Sequence, residues 1–317
     1  MRWLAAAAVL VLLLLPAVLN SYAVTVFIFI FFYAFLGQAW NIVGGYAGQL
    51  SAGHAAFVGI GAYTSAVLSV QAGLTPWIGM LVGGLLSAVL GAVVGYLGFR
   101  FGLRGFYFVL LTVAFAEVCR IVALNTDAVG GALGYYITFT GNPWQFQFQD
   151  NRVYYYVALG LMLIATGIVA AIERRRFGAY LIAIREDESA CEALGVNTFR
   201  YKMLAYAASA ALTAFGGTFY AYYQFYLQPN TVLNLNHSVD IMIRAIVGGT
   251  GTILGPILGS FLLEVLGEFS RTVFAGGAAG LNVLIYGVLL IVVVLFLPRG
   301  VYPTLVTLLR RVTGRQA

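Results

Sequence analysis

The chain has 317 residues, of which 62% are hydrophobic and only 9% are charged, and its mean hydropathy is +0.93. So little polar surface excludes a water-soluble globule of this length and indicates a polytopic membrane protein. The formal net charge of +6 is expected to orient the chain in its membrane and not to bind nucleic acid.

Apolar runs follow one another along the whole chain. Most approach or exceed the ~20 residues that a helix needs to cross a bilayer. Lipid offers the backbone no hydrogen-bond partner and the runs are too long for barrel strands, so each is predicted to be helical. The predicted fold is an all-α, polytopic membrane helical bundle with a single transmembrane domain over residues 1–317. The runs are 4–19, 22–43, 55–70, 76–99, 106–124, 153–172, 203–225, 241–266 and 281–297.

Basic residues cluster at 100–104, 174–202 and 299–315. By the positive-inside rule these three regions face the cytoplasm, as do both termini. Residues 125–152 carry one arginine and the sequence NPWQFQFQDN, which is typical of an outer-face loop with an interfacial tryptophan. The N-terminal apolar run also fits a cleavable signal peptide, but a retained first span agrees better with the internal duplication proposed below.

Two glycine-rich stretches, 41–63 and 247–260, would form turns without any arginine or lysine. The tripeptide VGG occurs in both, at 43–45 and 247–249. This repetition predicts a weak internal duplication in which each unit contains a glycine-broken pair of helices. Chance recurrence of glycine in helix packing is the alternative. Either interpretation gives about ten membrane segments.

The two breaks bear on function, because unwound backbone at membrane depth is tolerated where it is buried in protein or lines a watery path. We predict that the breaks and the polar residues near the first one line the translocation pathway or its gate. Amides and hydroxyls also cap and join helices, and for His54 alone packing or capping is favoured. The predicted pathway residues are Gln38, Asn41, Gly44, Gly45, Gln49, Ser51, His54, Gly248, Gly249 and Gly251.

Carboxylates in the predicted spans stand three to seven residues from an arginine, so ion pairs are favoured over a proton relay. The predicted pairs are Glu117 with Arg120, Asp240 with Arg244, and Glu264 and Glu268 with Arg271.

No nucleotide or catalytic site is recognisable. The only lysine is Lys202, in RYKML, so the chain has no P-loop and cannot be the ATPase by that mechanism. The two histidines are far apart, and neither Cys119 nor Cys191 has metal-ligand spacing. We therefore predict a transport protein that is not an enzyme and has no cofactor or metal of its own.

The segment AIREDESACEALGVN, residues 183–197, concentrates acidic residues in the predicted cytoplasmic region. Its acids suit a helix N-terminus, and Gly195 suits the C-terminal cap. If 187–194 is helical, Ala190, Ala193 and Leu194 form a small apolar strip beside Glu192. Such a strip is suited to a groove on another protein, although a solvated helix with no partner is the alternative.

Residues 178–221 resemble the cytoplasmic coupling region of the permeases of branched-chain amino acid ABC importers. Further blocks extend the resemblance over nearly the whole chain, at 45–68, 99–122, 246–260 and 286–300. Their order and spacing, with the junction RGFY, resemble the LivM-type subunit rather than its LivH-type partner. One departure is AVGGALG, where such proteins often carry Thr-Gly-Gly-x-x-Gly after the fifth span.

The resemblance implies a permease of the cell inner (cytoplasmic) membrane that pairs with a second, LivH-like permease. Two cytoplasmic P-loop ATPases would bind ATP and magnesium and drive it, and an extracytoplasmic binding protein would deliver amino acid. Residues 174–202 would be the coupling loop. Its expected coupling residues are Arg185, Glu186, Asp187, Glu188, Ala190, Glu192, Ala193, Leu194 and Gly195.

Three alternatives remain open at this point. Import of urea or short-chain amides would use the same architecture. An ATP-independent channel or secondary carrier would explain the glycine breaks but not the acidic cytoplasmic segment. A polytopic membrane enzyme would need a clustered polar constellation at one face, and the sequence offers none.

Overall fold

The computed structural model describes residues 2–273, 281–297 and 300–312. This part of the chain is predominantly helical, as predicted. Arg299, Arg315 and the side chains of Arg310 and Arg311 lie outside the described residues. The helices are α1 (Arg2–Val18), α2 (Ser21–Asn41), α3 (His54–Ala72), α4 (Pro76–Arg100), α5 (Phe106–Leu124), α6 (Asn151–Arg174), α7 (Arg176–Glu186), α8 (Glu188–Ala193), α9 (Thr198–Gln224), α10 (Pro229–Val232), α11 (Leu235–Gly248), α12 (Gly255–Val273), α13 (Leu281–Phe296) and α14 (Val301–Val312).

Five helical segments in the described part of the chain are long and apolar enough to cross a membrane. They are Ser21–Tyr46, His54–Ala72, Pro76–Arg100, Phe106–Leu124 and Asn151–Arg174. Each coincides with a predicted run to within a few residues, because length and continuous apolarity determine both. The run predicted at 241–266 is divided between α11 and α12.

The core forms where α2 and α9 pack against their neighbours. α9 packs most extensively on α4 and α3, and α2 packs on α6 and α12. Glycine permits the closest of these contacts: a Cβ on Gly217 would lie 1.9 Å from the Val58 carbonyl oxygen, and one on Gly61 would lie 2.0 Å from that of Ala214. The backbones of α3 and α9 therefore touch, as small residues allow in membrane bundles.

One end of the bundle holds the loop at 125–152, which is predicted to face outward. Two strands, β1 (Tyr135–Tyr136) and β2 (Tyr226–Leu227), pair antiparallel there. The Thr75 hydroxyl donates to the Trp144 carbonyl oxygen at 2.5 Å, which joins the α3–α4 connection to the same loop. The sequence did not predict the strands, because two residues are too few for a recognisable alternation.

The other end of α4, ~37 Å away for a helix of 25 residues, carries two of the basic clusters. Arg104 follows α4, and its Nε lies 3.4 Å from a carboxylate oxygen of Glu188 on α8. The α4–α5 connection and the α7–α8 segment therefore lie at the same end, as the charge pattern predicted.

Candidate functional site

Two interruptions of helical structure lie at the glycine-rich stretches. α2 passes into a π-helical turn, Ile42–Tyr46, and residues 47–53, here the first connection, lead to α3. Residues 249–254, the second connection, join α11 to α12. Single π-helical turns occur frequently at functional sites. We call the π-helical turn and the two connections together the junction.

Side chains from the end of α2 hold the second connection in place. The Asn41 amide donates to the Thr252 carbonyl oxygen at 2.9 Å, and its own carbonyl oxygen accepts from the Gly251 N–H at 2.8 Å. One turn earlier, the Gln38 amide donates to the Ile253 carbonyl oxygen at 2.5 Å. Both side chains are fully buried. They provide partners for backbone groups that have left the helix.

Glycine allows the two breaks to touch. A Cβ on Gly45 would lie 1.9 Å from Asn41 Oδ1 and 2.4 Å from the Gly251 nitrogen. On Gly44 it would lie 2.3 Å from the Trp40 ring. No side chain fits at either position without displacing a neighbour. The two glycine stretches, more than 200 positions apart in sequence, therefore form one packed structure.

The remaining glycines and Gln49 complete the predicted pathway set. A Cβ on Gly248 would lie 1.8 Å from the Gly255 carbonyl oxygen, and Gly249 has φ +121°, a conformation that favours glycine. Gln49 is half-buried and its amide donates to the Ala47 carbonyl oxygen at 3.2 Å. These residues shape the backbone of the junction.

Arg185, from the last turn of α7, reaches into the junction. Its Nη1 donates to the Gly45 carbonyl oxygen at 2.9 Å, and a Cβ on Gly251 would lie 2.5 Å from the same nitrogen. Its Nη2 and Nε donate to Glu186 at 2.7 and 3.2 Å. The aliphatic stem lies against Gly48, where a Cβ would be 2.6 Å from Arg185 Cγ. One side chain thus contacts both breaks.

A second bond ties the π-helical turn to the bundle end that holds α7 and α8. The hydroxyl of Tyr46 donates to Glu173 Oε2 at 2.6 Å. Tyr46 is fully buried, whereas Glu173 lies in the last turn of α6. The π-helical turn is therefore held by the ends of both α6 and α7.

His54 joins three elements through directed hydrogen bonds. The Ser209 hydroxyl donates to the Ala39 carbonyl oxygen at 2.7 Å, which commits its proton. His54 Nε2, 2.9 Å from Ser209 Oγ, is therefore the donor, and Nδ1 accepts from Ser51 Oγ at 3.1 Å. His54 and Ser51 are fully buried. This geometry supports the packing interpretation of His54.

The predicted short helix and its terminating glycine are confirmed. The Asp187 carboxylate caps α8 by accepting from the Ala190 N–H at 3.0 Å, and Gly195 follows the helix with φ +81°. Ala190, Ala193 and Leu194 are exposed, and Leu194 has 84% of its surface accessible. The apolar strip is therefore presented outward.

The two glutamates of α8 are in different positions. Glu188 turns towards the bundle and pairs with the buried Lys202 as well as with Arg104. Its side chain is only 12% exposed, so this expected coupling residue does not share the exposed surface of the apolar strip. Glu192 is exposed and accepts from the Thr198 hydroxyl at 2.7 Å. Glu188 and Glu192 are one turn apart, and the Thr198 hydroxyl contacts both, at 3.3 and 2.7 Å. Ala190 faces the other way, because residues two apart on a helix point ~200° away from each other.

A groove of about 450 Å³ opens beside the exposed end of α8. Its lining includes Leu194 and Asn197, Tyr180 of α7, and Arg200 and Tyr201 of α9. Leu194 belongs both to this groove and to the apolar strip. Together they offer an uneven, partly apolar face to a partner.

Two predicted ion pairs are confirmed. Arg120 Nη2 lies 2.5 Å from Glu117 Oε1, and its Nη1 also donates to Asn230 Oδ1 at 2.5 Å. Arg271 Nη1 lies 2.5 Å from Glu268 Oε1. Both pairs join residues three apart on one helix, as the spacing indicated.

The prediction that pairs Glu264 with Arg271 is wrong. Glu264 Oε2 lies 2.8 Å from Arg244 Nη2, and both side chains are less than a tenth exposed. The Arg244 guanidinium also stacks on Tyr33, 3.7 Å from the ring centre. The partner comes from the neighbouring helix α11, which packs beside α12, a relation that spacing within one helix cannot reveal.

Comparison with known families decides the class of protein. The model described as branched-chain amino acid transport system, permease component, matches residues 22–294. The chain belongs to this permease family. It is accordingly a multi-pass membrane protein and a transport component rather than an enzyme, which confirms both predictions. No solved structure matches the chain.

Curated relatives agree with this membership. The high-affinity branched-chain amino acid transport system permease protein LivM of Escherichia coli is 30% identical over 297 residues, covering 86% of this chain and 68% of the relative. LivM of Salmonella typhimurium is 31% identical with the same coverage. The permease protein BraD of Pseudomonas aeruginosa is 31% identical over 139 residues, 44% of each chain. The predicted LivM-like resemblance is confirmed.

Sequence reasoning missed several residues that build the site. Thr252 closes the second connection: its hydroxyl donates to the Gly249 carbonyl oxygen at 2.7 Å and accepts from the Gly255 N–H at 3.1 Å. Thr252 follows Gly251 in GGTGTILG, and a threonine next to glycines is a recognisable turn signal. Lys202 was singled out only as the sole lysine, and its pairing with Glu188 depends on the turn between α8 and α9.

Proposed function

We propose that this chain is the membrane subunit of an ATP-driven importer that moves branched-chain, hydrophobic amino acids into the cytoplasm. The observation that carries the proposal is the exposed strip of Ala190, Ala193 and Leu194 on α8. A capped helix with an outward apolar face is costly to leave in water and is suited to a protein groove. The relatives' names, which specify branched-chain amino acid transport, support the cargo.

The proposed membrane organisation has about ten segments. α2 with α3 and α11 with α12 would be two glycine-broken pairs, one in each half of an internal duplication. Both termini would be cytoplasmic. Within the single domain, residues 174–202 would form the cytoplasmic coupling loop, and residues 125–152 the outer-face loop. The gathering of basic clusters at one end of α4 supports this orientation.

The proposed assembly contains three further kinds of protein in the cell inner membrane and at its two faces. A second, LivH-like permease would pair with this chain. Two P-loop ATPases would bind ATP and magnesium on the cytoplasmic side, since this chain has no P-loop of its own. An extracytoplasmic binding protein would deliver the amino acid and supply most of the selectivity.

In the proposed mechanism α8 sits in a cleft of one ATPase, with Leu194 and the adjacent groove at the contact. Closure of the ATPases on ATP would displace α8 together with α7 and the start of α9. The junction would then rearrange between outward and inward access. Gln38 and Asn41 hold the junction through buried hydrogen bonds, so a change there requires exchange between two packed arrangements.

Transport by the assembled complex tests the proposal. Vesicles containing both permeases and both ATPases, supplied with the binding protein, are expected to accumulate radiolabelled leucine only with ATP. Vesicles with this chain alone are expected to take up none. Leucine flux through the chain alone would favour an ATP-independent channel or carrier. ATP-driven uptake of urea or acetamide without leucine would reassign the cargo.

A further inference from the structure

Arg185 occupies the point where α7 ends and α8 begins. Asp187 alone separates the two helices, ending α7 and capping α8. Arg185 lies two positions before it, in the last turn of α7. Because so short a connection leaves little slack, displacement of α8 carries the Arg185 backbone with it.

The guanidinium of Arg185 donates a hydrogen bond to the end of the π-helical turn. The Gly45 carbonyl belongs to the last turn of a helix, where carbonyl oxygens lack an intrahelical donor. Arg185 Nη1 supplies that donor at 2.9 Å. A cation at a helix C-terminus is favourable as well, since the backbone dipoles leave that end negative.

The fork of the guanidinium matters for this contact. While Nη1 binds Gly45, Nη2 and Nε hold Glu186 at 2.7 and 3.2 Å. A lysine ammonium is a point donor and cannot reproduce both directions at once. Only about a third of the Arg185 side chain is exposed, so the bond to Gly45 is partly protected from water.

Both breaks meet this one side chain. Nη1 lies 2.5 Å from the position that a Cβ of Gly251 would occupy, and the aliphatic stem lies against Gly48. The π-helical turn, the first connection and the second connection therefore all contact a residue that moves with α8.

We propose that Arg185 is the positioning residue through which movement of α8 reaches the junction of the two glycine breaks. The inference rests on the proposed function, because it assumes that an ATPase displaces α8. It assigns Arg185 to the inside of the permease rather than to the ATPase contact. Glu186, which holds the other side of the guanidinium, would orient it.

Labelling of the first connection tests this transmission without reference to the cargo. Leu50, which is 41% exposed in the first connection, is replaced by cysteine in a complex whose Cys119 and Cys191 are alanine. In the full assembly, ATP is expected to change the rate of thiol labelling at position 50, and Arg185→Gln is expected to abolish most of that change. An equal ATP-dependent change with Arg185→Gln, or none with Arg185 intact, would overturn the inference.

Uptake measured in the same assembly gives the functional consequence. Arg185→Gln is expected to keep ATP hydrolysis within about twofold of wild type but to lower leucine uptake per ATP about tenfold, the effect of losing one charge-assisted hydrogen bond. The leucine uptake per ATP of Arg185→Lys should lie between those of the wild type and Arg185→Gln. Arg176→Gln, on the exposed start of the same helix, is the matched control and should retain the wild-type ratio.

The outcomes separate the inference from the proposed function. The role of Arg185 would be overturned if Arg185→Gln kept the wild-type uptake per ATP, or if Arg176→Gln lowered it as much as Arg185→Gln does. If Arg185→Gln fails to assemble, Arg185→Lys decides, because it keeps the charge: a wild-type ratio and wild-type labelling would contradict the need for the fork. If the wild type took up no leucine, the proposed cargo would be wrong. The labelling result would still test the role of Arg185, because it does not depend on the cargo.

Discussion

Buried polar side chains at the junction act mainly as links between helices. Asn41 uses both ends of its amide on the second connection, and His54 uses both ring nitrogens on serines. Buried polar groups stabilise a structure when every donor and acceptor has a partner and cost free energy when one is lost. These residues therefore fix the geometry around the breaks, and the glycines set how closely the backbones approach.

At the residue scale, His54→Ala is expected to lower the free energy of unfolding of the purified assembly by about 3 kcal/mol, because two buried hydroxyls lose a partner and a cavity opens. Leucine uptake per folded assembly should stay within about twofold of wild type if His54 is a packing residue. Thermal unfolding and vesicle uptake measure the two effects. Gln49→Ala, in the first connection just before α3 and half-buried, should cost less than about 1 kcal/mol. Loss of uptake without loss of stability would place His54 in the pathway instead.

Glu188 forms the ion pairs that hold α8 to the bundle. Glu188 pairs with Lys202, whose side chain is 5% exposed and lies over the Phe99 ring at 5.0 Å. The same carboxylate reaches Arg104 beyond α4. This leaves the opposite face of α8, with Ala190 and Leu194, free to meet a partner. The bond from Thr198 to Glu192 and the buried Cys191 hold the same short element.

At the element scale, Glu188→Gln is expected to destabilise the assembly by about 3 kcal/mol, since removing one partner of a buried pair strands the other charge. Lys202 would be left in an apolar setting beside Phe99. Denaturant unfolding measures the effect, and Glu186→Gln is the control. The Glu186 side chain is 69% exposed, so this substitution should lower the free energy of unfolding by less than about 1 kcal/mol. Equal losses of stability from the two substitutions would contradict a stabilising role for the Glu188 ion pairs.

At the scale of the whole molecule, the sequence predicted what depends on local apolarity and charge. The predicted bounds of α5 and the predicted short helix ending at Gly195 agree with the structure. The length of the apolar run determines the first, and the residues at the helix ends determine the second. The contacts between distant segments could not be predicted, among them Arg185 with Gly45, Asn41 with Thr252 and Glu264 with Arg244. They depend on which helices become neighbours, and one sequence contains no record of that.

The central claim is that a partner ATPase drives this permease through the exposed face of α8. ATP hydrolysis and leucine uptake, measured together in vesicles of the full assembly, test it most directly with Ala190→Arg and Glu192→Lys. The small substitution Ala190→Ser is the control at the same site. We predict that the two charged variants insert and assemble but lower uptake per ATP by at least about tenfold, while Ala190→Ser behaves as wild type. Wild-type coupling in both charged variants would contradict the account.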